Sequence, residues 1–425
     1  MRIAIIALGS RGDVQPYVAL GKGLYEAGQA VRLITHENYE TFVRSYGLDF
    51  WPMQGDVQEL LQTPEMRELT ERGNFLAITR RTAQLAQDVV LEWTKEGLAA
   101  CAGMDLLIAG VGGLNVAIAL AQKTGIPLLQ AYVFPFTPTR AFPAVLLPPG
   151  LPRLGGAFNR FTHHLTRQFM WQGFRGADKM ARQQVLGLPA AAFFGPYRSP
   201  VLQNSPVLYG ISPSVIAKPA DWGDNVHVTG YWFLDAAADW TPPTALQQFL
   251  EAGAPPVYIG FGSMSNRNPE ATLDLVVHAL EQTGQRGIIL SGWGGMQKES
   301  WPDNVFVAEA IPHTWLFERV AAVVHHGGAG TTAAGLRAGV PSIIIPFFGD
   351  QPFWGEKVAA LGVGPTAIPR QKLTAERLAQ AIHQAVTDEK MRGNAAALGS
   401  QIRSEDGVAR AVATIQALFT ETGRR

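Results

Sequence analysis

HHGGAGTTAAGLRAGVPSIIIPFFGDQPFWGE, residues 325–356, decides the fold of this 425-residue chain. An apolar strand ends at the two histidines, and a turn of small residues leads into a helix. A second apolar strand ends shortly before Asp-Gln, where another helix begins. Such strand–turn–helix units predict a doubly wound α/β fold, in which ligands bind beyond the carboxyl ends of the strands.

The same alternation extends along the chain on both sides of this stretch. In the second half, apolar runs predict buried strands at residues 257–261, 287–290, 305–307, 322–325 and 342–345. In the first half, they predict strands at residues 3–8, 31–35, 106–109 and 128–132. DAAADWTPP, residues 235–243, is typical of a linker. We therefore predict two facing Rossmann-like domains with a cleft between them, residues 1–235 and 236–405, and a final helix within 406–425.

The composition excludes several classes of protein. Lys and Arg together number 35, as do Asp and Glu, so nothing favours a nucleic-acid partner. The single Cys101 excludes an internal disulfide and a thiol metal cluster, which fits a reducing compartment. The first apolar run is too short for a signal peptide, and no run reaches the roughly 18–20 residues of a transmembrane helix. We expect a cytoplasmic protein, with peripheral membrane contact through an exposed apolar surface left open.

The turn after the strand at residues 322–325 predicts an anion site. Gly328, Gly330 and Thr331 allow backbone N–H groups and a helix N-terminus to approach phosphate oxygens. His326 adds an N–H donor there, although a histidine that only ends a strand remains the alternative. His325 faces the opposite side of the strand, so we expect it to pack in the core.

Further residues are candidates for holding a nucleotide and a sugar. Asp350 and Gln351 offer acceptors and donors for sugar hydroxyls, although Asp350 also suits a helix N-cap. Ser263 follows a strand and suits either a phosphate contact or a simple turn. Trp293, flanked by glycines, is suited to stacking on a base, and Ile311 to presenting backbone groups to its edge. Together these residues predict a site for a nucleotide diphosphate that carries a sugar.

The first turn of the chain, GSRGDVQP, supplies a candidate base. Asp13 is the only carboxylate in this turn, and an inverting sugar transfer needs a base for the acceptor hydroxyl. A helix N-cap is again the alternative role. Ser10 and Gly12 are assigned to the donor side of the same turn. Because the chain has no Asp-x-Asp pair and no cluster with metal-ligand spacing, we expect no metal and no cofactor besides the sugar-donating co-substrate.

Longer strings identify a related family. The chain resembles the sterol 3β-glucosyltransferases, which belong to the UDP-dependent glycosyltransferases of GT-B fold. The resemblance runs nearly end to end and is carried by GSRGDVQPYVALGKGL, VRLITHENYETFV, FPFTPTRAFP, KPADWG, VYIGFGSM, GWGGM, IPHTWLFERVAAVVHHGGAGTTAAGL and PFFGDQPFWGE.

The resemblance implies a function and a set of roles. It implies transfer of glucose from UDP-glucose to a hydroxyl of an apolar polycyclic acceptor, with inversion and without a metal. It makes Asp13 the base, sets His326 on the diphosphate, places Asp350 and Gln351 on the glucose hydroxyls, and brings Trp293 near the uracil. It also implies that the first half binds the acceptor, the second half binds the donor, and the last helix crosses back to the first half.

The chain departs from the plant secondary-metabolite relatives at two positions. Ala310 and Ala334 stand where those relatives have a base-stacking tryptophan and a ribose-binding glutamate, so no ribose partner is named. Residues 134–174, rich in aromatic residues and prolines, interrupt the alternation and are expected to lie in loops beyond a strand. They supply aromatic candidates for an acceptor pocket, although ordinary core packing is the favoured reading for most of them: Phe134, Phe136, Phe142, Phe169, Trp171 and Phe174. Thr137 and Trp354 are further candidates.

The sequence bears on three alternatives to a sterol glucosyltransferase. One is a glycolipid-forming rhamnosyltransferase that uses a dTDP-sugar, which shares this architecture. Another is a nucleotide-sugar-binding protein without activity, which the intact Asp13 disfavours. The last is a dehydrogenase, but GSRGDV lacks the G-x-G-x-x-G spacing that a dinucleotide requires.

Overall fold

In the computed structural model, the chain forms two parallel β-sheets surrounded by helices. The structure describes residues 1–55, 63–71, 75–147, 154–235, 240–261, 269–290 and 301–420. The predicted α/β class with two Rossmann-like halves is confirmed.

The first sheet has seven parallel strands in the order β3-β2-β1-β4-β5-β6-β7. The strands are β1 Arg2–Ile6, β2 Ala30–His36, β3 Asp49–Met53, β4 Leu106–Ala109, β5 Leu128–Tyr132, β6 Val207–Tyr209 and β7 Val226–Val228. The second sheet has five parallel strands in the order β10-β9-β8-β11-β12. These are β8 Val257–Gly260, β9 Gly287–Leu290, β10 Val305–Ala308, β11 Ala322–His325 and β12 Ser342–Ile344.

The helices connect the strands in the right order for parallel crossovers. In the first half they are α1 Arg11–Glu26, α2 Glu40–Arg44, α3 Pro64–Glu71, α4 Phe75–Ala100, α5 Leu114–Thr124, α6 Gly156–Met180 and α7 Pro200–Asn204. In the second half they are α8 Thr244–Glu251, α9 Pro269–Thr283, α10 His313–Leu316, α11 Ala329–Ala338, α12 Gln351–Ala360, α13 Ala375–Thr387, α14 Glu389–Arg403 and α15 Gly407–Thr420.

Both faces of each sheet are covered, which explains the unbroken apolar runs of the strands. In β1, Ile3 and Ile5 join the core on one face, and Ala4 and Ile6 join the core on the other. All four are completely buried. The strand therefore has no polar face to expose, and its ends alone are free to carry chemistry.

Segment 134–174 differs from the sequence prediction. Its second part is not a loop, because α6 begins at Gly156 and continues to Met180. Thr162, Thr166 and Trp171 lie on the buried side of this helix. The mixture of aromatic and polar residues on both of its sides hid the helical period from sequence inspection.

The last helix packs into the core of the first half. Ala411, Val412 and Ile415 of α15 are buried in the same apolar cluster as Leu20 and Leu24 of α1. The crossing is fixed by Glu405, whose Oε1 accepts hydrogen bonds from the hydroxyls of Ser212 and Ser214 at 2.8 Å each.

The predicted boundary at residues 235/236 remains a prediction, since residues 236–239 are outside the described part. Just before it, Asp235 forms an ion pair with Arg337 of α11 at 2.6 Å. Within the described ranges, no helix is long and apolar enough to cross a membrane.

Candidate active site

The turn between β1 and α1 holds Asp13 in a capping arrangement. Ser10 is the N-cap of α1, and Asp13 is the third residue of the helix. The backbone N–H and the hydroxyl of Ser10 both donate to Asp13 Oδ2, each at 2.9 Å. Among the described residues, Oδ1 makes no hydrogen bond. Oδ2 of Asp13 therefore serves the capping interaction, and Oδ1 is left available to accept a proton or a hydrogen bond.

The surroundings of Asp13 favour its neutral form. Burial raises the pKa of Asp13 above its usual value, and the hydrogen bonds from Ser10 partly oppose this shift. Gly9 allows the carboxylate to lie this close to the turn. Gly9 has a φ of +144°, and a Cβ there would lie 2.5 Å from Asp13 Oδ2.

Asp13 lines a narrow cavity at the carboxyl end of the first sheet. The cavity walls come from the ends of β1, β4 and β5 and from α1, and the described residues that line it with Asp13 are Ala7, Leu8, Tyr17, Gly110, Val111, Gly112, Val133 and Phe134. Most of these side chains are apolar. A hydroxyl that reaches Asp13 therefore meets a carboxylate with little competing polarity.

His326 stands at the start of the glycine-rich turn in the second half. Burial lowers the pKa of His326 to about 4, so its ring is neutral at pH 7. Among the described residues, its buried Nδ1 has no hydrogen-bond partner. A phosphate oxygen is one kind of partner that would satisfy this atom.

The turn after His326 leads directly into the N-terminus of α11. Gly327 has a φ of +89°, and a Cβ there would lie 2.6 Å from Ile344 Cγ2. Gly328 is the N-cap of α11 and provides no side-chain cap. Gly330 is exposed and Thr331 is half-buried, so their first-turn N–H groups are accessible. This geometry suits an anion.

His325 is a core residue, as the strand alternation predicts. It is completely buried, and its Nδ1 accepts a hydrogen bond from the Gly327 N–H at 3.1 Å. The pKa of His325 lies well below its usual value because of burial and the neighbouring His326 and His313. His325 therefore supports the turn from beneath.

Asp350 is held by a tryptophan one turn further along α12. Trp354 Nε1 donates to Asp350 Oδ2 at 2.7 Å. Burial and the charge of Asp13 raise the pKa of Asp350 to about 6, against the opposing effect of this hydrogen bond. Trp354, a candidate for the acceptor pocket, is itself completely buried, so its visible role is to orient Asp350.

Gln351 closes the turn that precedes α12. Its Oε1 accepts hydrogen bonds from the N–H groups of Phe347 and Phe348, at 2.8 and 3.2 Å. Its side chain is only 5% exposed. Its amide oxygen therefore orders the backbone beside Asp350, which sequence inspection did not indicate.

The opening turns of the two halves lie close together. Helices α1 and α11 pack against each other. The charge of Asp13 reaches Asp350, and the charge of Arg11 lowers the pKa of His313. The carboxylate of the first half and the glycine-rich turn of the second half thus lie close together.

The candidate acceptor residues are spread around this cleft. Phe134 lines the cavity of Asp13. Phe136 is buried in the core, and Thr137 Oγ1 accepts from the Tyr209 hydroxyl at 2.7 Å. The half-buried Phe142 contacts Phe353 of the second half, with ring centroids 5.6 Å apart.

Three aromatic candidates on α6 are not seen at the cavity. Trp171 is completely buried and donates to the carbonyl of Phe193, and Phe174 is half-buried. Phe169 is also half-buried on this helix. None of the three is among the described residues that line the cavity.

Three donor candidates have little or no structural description. Ser263 and Trp293 lie outside the described residues. Ile311 is 6% exposed and packs in the apolar cluster of Leu316 and Phe317. Gly12, in the first turn, is exposed.

Sequence inspection missed several residues at the cleft. Tyr17 lies beneath Asp13, and its hydroxyl donates to the Ala131 carbonyl at 2.7 Å. His313 Nε2 and the Tyr258 hydroxyl lie 3.0 Å apart in a hydrogen bond. The run from Gly110 to Gly113 after β4 was an available signal for a cavity wall, because such small residues leave space beyond a strand.

Two family models match the chain. The Glycosyltransferase family 28 N-terminal domain matches residues 3–143. The C-terminal domain described as Erythromycin biosynthesis protein CIII-like matches residues 288–418. The two matches fall on the two sheets.

Curated relatives and a solved structure agree with this assignment. A sterol 3-beta-glucosyltransferase of Aspergillus fumigatus is 39% identical over 98% of this chain, which spans 30% of that protein. One of Arabidopsis thaliana is 37% identical over 97% of this chain and 67% of that protein. The crystal structure of glycosyltransferase VinC in complex with dTDP matches with a TM-score of 0.67 and 18% identity, over 99% of this chain and 100% of that one.

The identity to the curated relatives extends across both halves, and the solved structure shares the arrangement of two facing sheets. The chain has the GT-B fold and belongs to the glycosyltransferase family that includes the sterol 3-beta-glucosyltransferases.

Proposed function

We propose that the protein transfers glucose from UDP-glucose to a hydroxyl of an apolar polycyclic acceptor of the sterol class, with inversion at the anomeric carbon. The observation that carries this proposal is the state of Asp13. One of its oxygens is anchored by Ser10, and the other makes no hydrogen bond to the described residues. The charge of Asp13 reaches Asp350 of the second half, and α1 packs against α11, the helix that follows His326.

In the proposed reaction, Asp13 is the base. It accepts the proton of the acceptor hydroxyl while the acceptor oxygen bonds to the anomeric carbon of glucose. The bond between that carbon and the diphosphate oxygen breaks, and UDP leaves with the electron pair. The raised pKa of Asp13 makes the carboxylate a stronger base than one in water.

The leaving UDP would be stabilised by the second half. The N–H groups at the start of α11 and the neutral ring of His326 donate to phosphate oxygens in this proposal. They take the part that a bound cation plays in other transferases, so the proposed reaction needs no metal. Asp350, oriented by Trp354, would accept hydrogen bonds from glucose hydroxyls.

The acceptor class rests on the relatives and on the cavity. The curated relatives at 37–39% identity are named sterol 3-beta-glucosyltransferases. The cavity beside Asp13 has a volume of about 20 Å³, which suits the hydroxyl end of an acceptor, and its described lining is mostly apolar. Phe134 and Tyr17 are the aromatic side chains of that described lining.

Replacement of Asp13 by asparagine tests the base. We expect Asp13→Asn to lower turnover by about 10²–10⁴-fold, since general-base catalysis contributes that much, and to leave UDP binding within a few-fold. Turnover is measured by mass spectrometry of glucosylated product, and UDP binding is measured by calorimetry.

Ser10→Ala is the matched control, because it removes one hydrogen bond to the carboxylate and keeps the base. The hydroxyl of Ser10 lowers the pKa of Asp13, so its loss raises that pKa and moves the acidic limb of the rate profile to higher pH. Wild-type turnover by Asp13→Asn would show that another group is the base.

The donor is tested in the same reactions. A mixture of UDP-glucose, other UDP-sugars and dTDP-sugars is offered with sterols, terpenoids and flavonoids. We expect glucosylated sterol to be the main product. A product that carries a deoxysugar from dTDP would instead favour the glycolipid-forming rhamnosyltransferase, and the likeness to the dTDP-bound glycosyltransferase makes this the second candidate.

A further inference from the structure

Exposed apolar side chains are concentrated on one surface of the first half. Among the described residues, six large apolar side chains are strongly exposed, and five of them fall between residues 154 and 194. We call these five the α6 surface. They are Leu154 (65% exposed), Phe161 (57%), Leu165 (50%), Phe193 (55%) and Phe194 (61%).

Leu154 lies two residues before the start of α6, and the other four residues lie along the outer face of this helix. On a helix of 3.6 residues per turn, Phe161, Leu165, Gln168 and Gln172 share one face. The side-chain amides of Gln168 and Gln172 both donate to the Phe193 carbonyl, at 3.3 and 2.8 Å. These bonds hold Phe193 and Phe194 beside the outer face of α6, next to Leu165.

The α6 surface is bordered by positive charge. The Arg175 guanidinium lies over the Phe193 ring at 5.0 Å, and the Arg198 guanidinium lies over the Phe194 ring at 5.8 Å. Neither arginine forms an ion pair with any residue in the described ranges. The charges of Arg167, Arg160 and Arg198 contribute, after burial, to lowering the pKa of His164, so cations gather along this face.

Negative charge is nearly absent from the same segment. Residues 154–199 contain six Lys and Arg residues and one acidic residue, Asp178. Asp178 is buried and paired with Arg182 at 2.8 Å. Two other segments bring acidic groups towards α6: Asp221, on which the charge of Arg160 acts and which accepts hydrogen bonds from Thr139 and the Arg140 N–H, and the acidic residues of α4, the helix packed against α6.

The α6 surface connects to the cavity of Asp13 through aromatic contacts. The Arg167 guanidinium lies between the rings of Phe136 and Tyr197, at 4.9 and 5.1 Å. Tyr197 precedes Arg198 in the chain, and Phe136 contacts Phe134, which lines the cavity, with ring centroids 6.4 Å apart. A chain of contacts through Arg167 and Phe136 therefore runs from α6 to the cavity lining at Phe134.

We propose that the α6 surface docks the protein on an anionic lipid bilayer, with Leu154, Phe161, Leu165, Phe193 and Phe194 inserted at the headgroup boundary and Arg175 and Arg198 on lipid phosphates. The exposed apolar side chains suit the acyl chains of such a bilayer, and the arginines beside them suit its anionic headgroups. A protein partner would need an apolar patch of complementary shape with acidic residues around it. An anionic bilayer offers apolar chains and negative charge at every point of its surface.

The docking has a consequence for the acceptor that rests on the proposed function. An apolar acceptor dissolved in the bilayer would enter beside Phe136 and Phe134 without crossing water. Its hydroxyl, which lies at the headgroup level, would reach the cavity of Asp13 first.

The test is co-sedimentation of the full chain with vesicles, in the absence of any nucleotide sugar. Vesicles of phosphatidylcholine alone are compared with vesicles that also contain phosphatidylserine. We expect binding that rises with the anionic lipid and falls with added salt. Phe193→Ser/Phe194→Ser and Arg175→Gln/Arg198→Gln should each lower the binding constant by about ten-fold or more.

Matched controls carry the same changes elsewhere. Tyr25 is the sixth exposed apolar side chain, and Arg410 is exposed on α15. Tyr25→Ser and Arg410→Gln should bind vesicles like the wild type. Circular dichroism and thermal unfolding establish that every variant is folded, and transfer to an acceptor dispersed in cyclodextrin is measured separately.

Two outcomes would overturn the docking. One is equal binding of the wild type and the double variants to anionic vesicles, or no binding of the wild type. The other is a dimer, seen by light scattering, that Phe193→Ser/Phe194→Ser abolishes, because the surface would then bind a second copy. If vesicles bind but no sugar is transferred, the docking holds and the proposed function fails.

Discussion

Asp13 and Asp350 come from different halves, and the charge of Asp13 acts on Asp350. The Asp13 charge and burial together raise the pKa of Asp350 to about 6, although Trp354 donates a hydrogen bond to it. Two ionised carboxylates in one cleft are unfavourable without a ligand. Sugar hydroxyls that donate to Asp350 would relieve part of this cost, so the empty site is less stable than the filled one.

This cost predicts a pH-dependent gain of stability in Asp350→Asn. The folded-state pKa of Asp350 is about 6 against an ordinary 3.8, so ionisation destabilises the folded state as pH rises through this window. Asparagine keeps an oxygen for Trp354 and removes the charge. We expect its free energy of unfolding to exceed that of the wild type by about 2–3 kcal/mol above pH 7 and to match it near pH 4.

Urea unfolding at a series of pH values measures this difference. A gain that is equal at pH 4 and pH 7.5 would show that the charge of Asp350 is not its source. Weaker binding of UDP-glucose by the same variant, with unchanged binding of UDP, would link the stability cost to the sugar contact.

At the scale of single elements, the turns at the carboxyl ends of β1 and β11 set the site. The turn after β1 depends on Gly9, because a Cβ there would lie 2.5 Å from Asp13 Oδ2. Gly28 has a comparable positive φ of +81° after α1, but a Cβ there would meet nothing within 4 Å. Alanine would strain the backbone at either position, but only at Gly9 would its Cβ also collide with another side chain, that of Asp13.

We therefore expect different effects from alanine at these two positions. Gly9→Ala should displace the carboxylate and lower turnover by about a hundred-fold, as small misplacements of a catalytic group do. Gly28→Ala should lower the free energy of unfolding by about 1–2 kcal/mol and leave turnover close to wild type. Steady-state kinetics and urea unfolding of both variants separate the effects, and equal losses of turnover would refute the role assigned to Gly9.

Sequence inspection predicted the elements whose residues are apolar throughout. Strands β1, β4, β5, β8, β9 and β11 lie within one or two residues of their predicted bounds, because strands buried on both faces leave an unbroken apolar run. Strand β3 was missed, since Asp49 and Pro52 interrupt its run at the sheet edge. Strand β7, with three residues, is too short to show a period.

The candidate site residues were predictable where the polar side chain lies in a glycine-rich turn directly after an apolar strand. The turns with Asp13, His326 and Asp350 stand out in the sequence, and the structure brings them to one cleft. The roles of Tyr17 and Trp354 were not predictable, because they depend on contacts between a helix and its neighbours. From sequence alone, a tyrosine or tryptophan in a helix is usually interpreted as a core residue.

At the scale of the whole molecule, α15 unites the two halves. Its residues Ala411 and Ile415 are completely buried in the core of the first half, although the helix follows the second half in sequence. The first half thus includes a piece of chain that lies beyond the second sheet. Independent unfolding of the two halves would require this helix to detach.

We expect a single cooperative unfolding transition in calorimetry. Ile415→Ala should lower the free energy of unfolding by about 2–4 kcal/mol, as large-to-small changes in a core do. UDP should raise the unfolding temperature of the wild type and of Ile415→Ala, and each should still unfold in one transition, even though the proposed UDP contacts lie in the second half. Two separate transitions, of which UDP moves only one, would contradict this prediction.

The return of the chain to the first half also limits how the cleft can open. The polypeptide passes between the halves twice, near Asp235 and near Glu405, and each passage is tied to the opposite half by an ion pair or by hydrogen bonds. We expect these two connections to let the far edges of the halves separate while limiting their rotation, so that Asp13 returns to the same position opposite Asp350 each time the cleft closes.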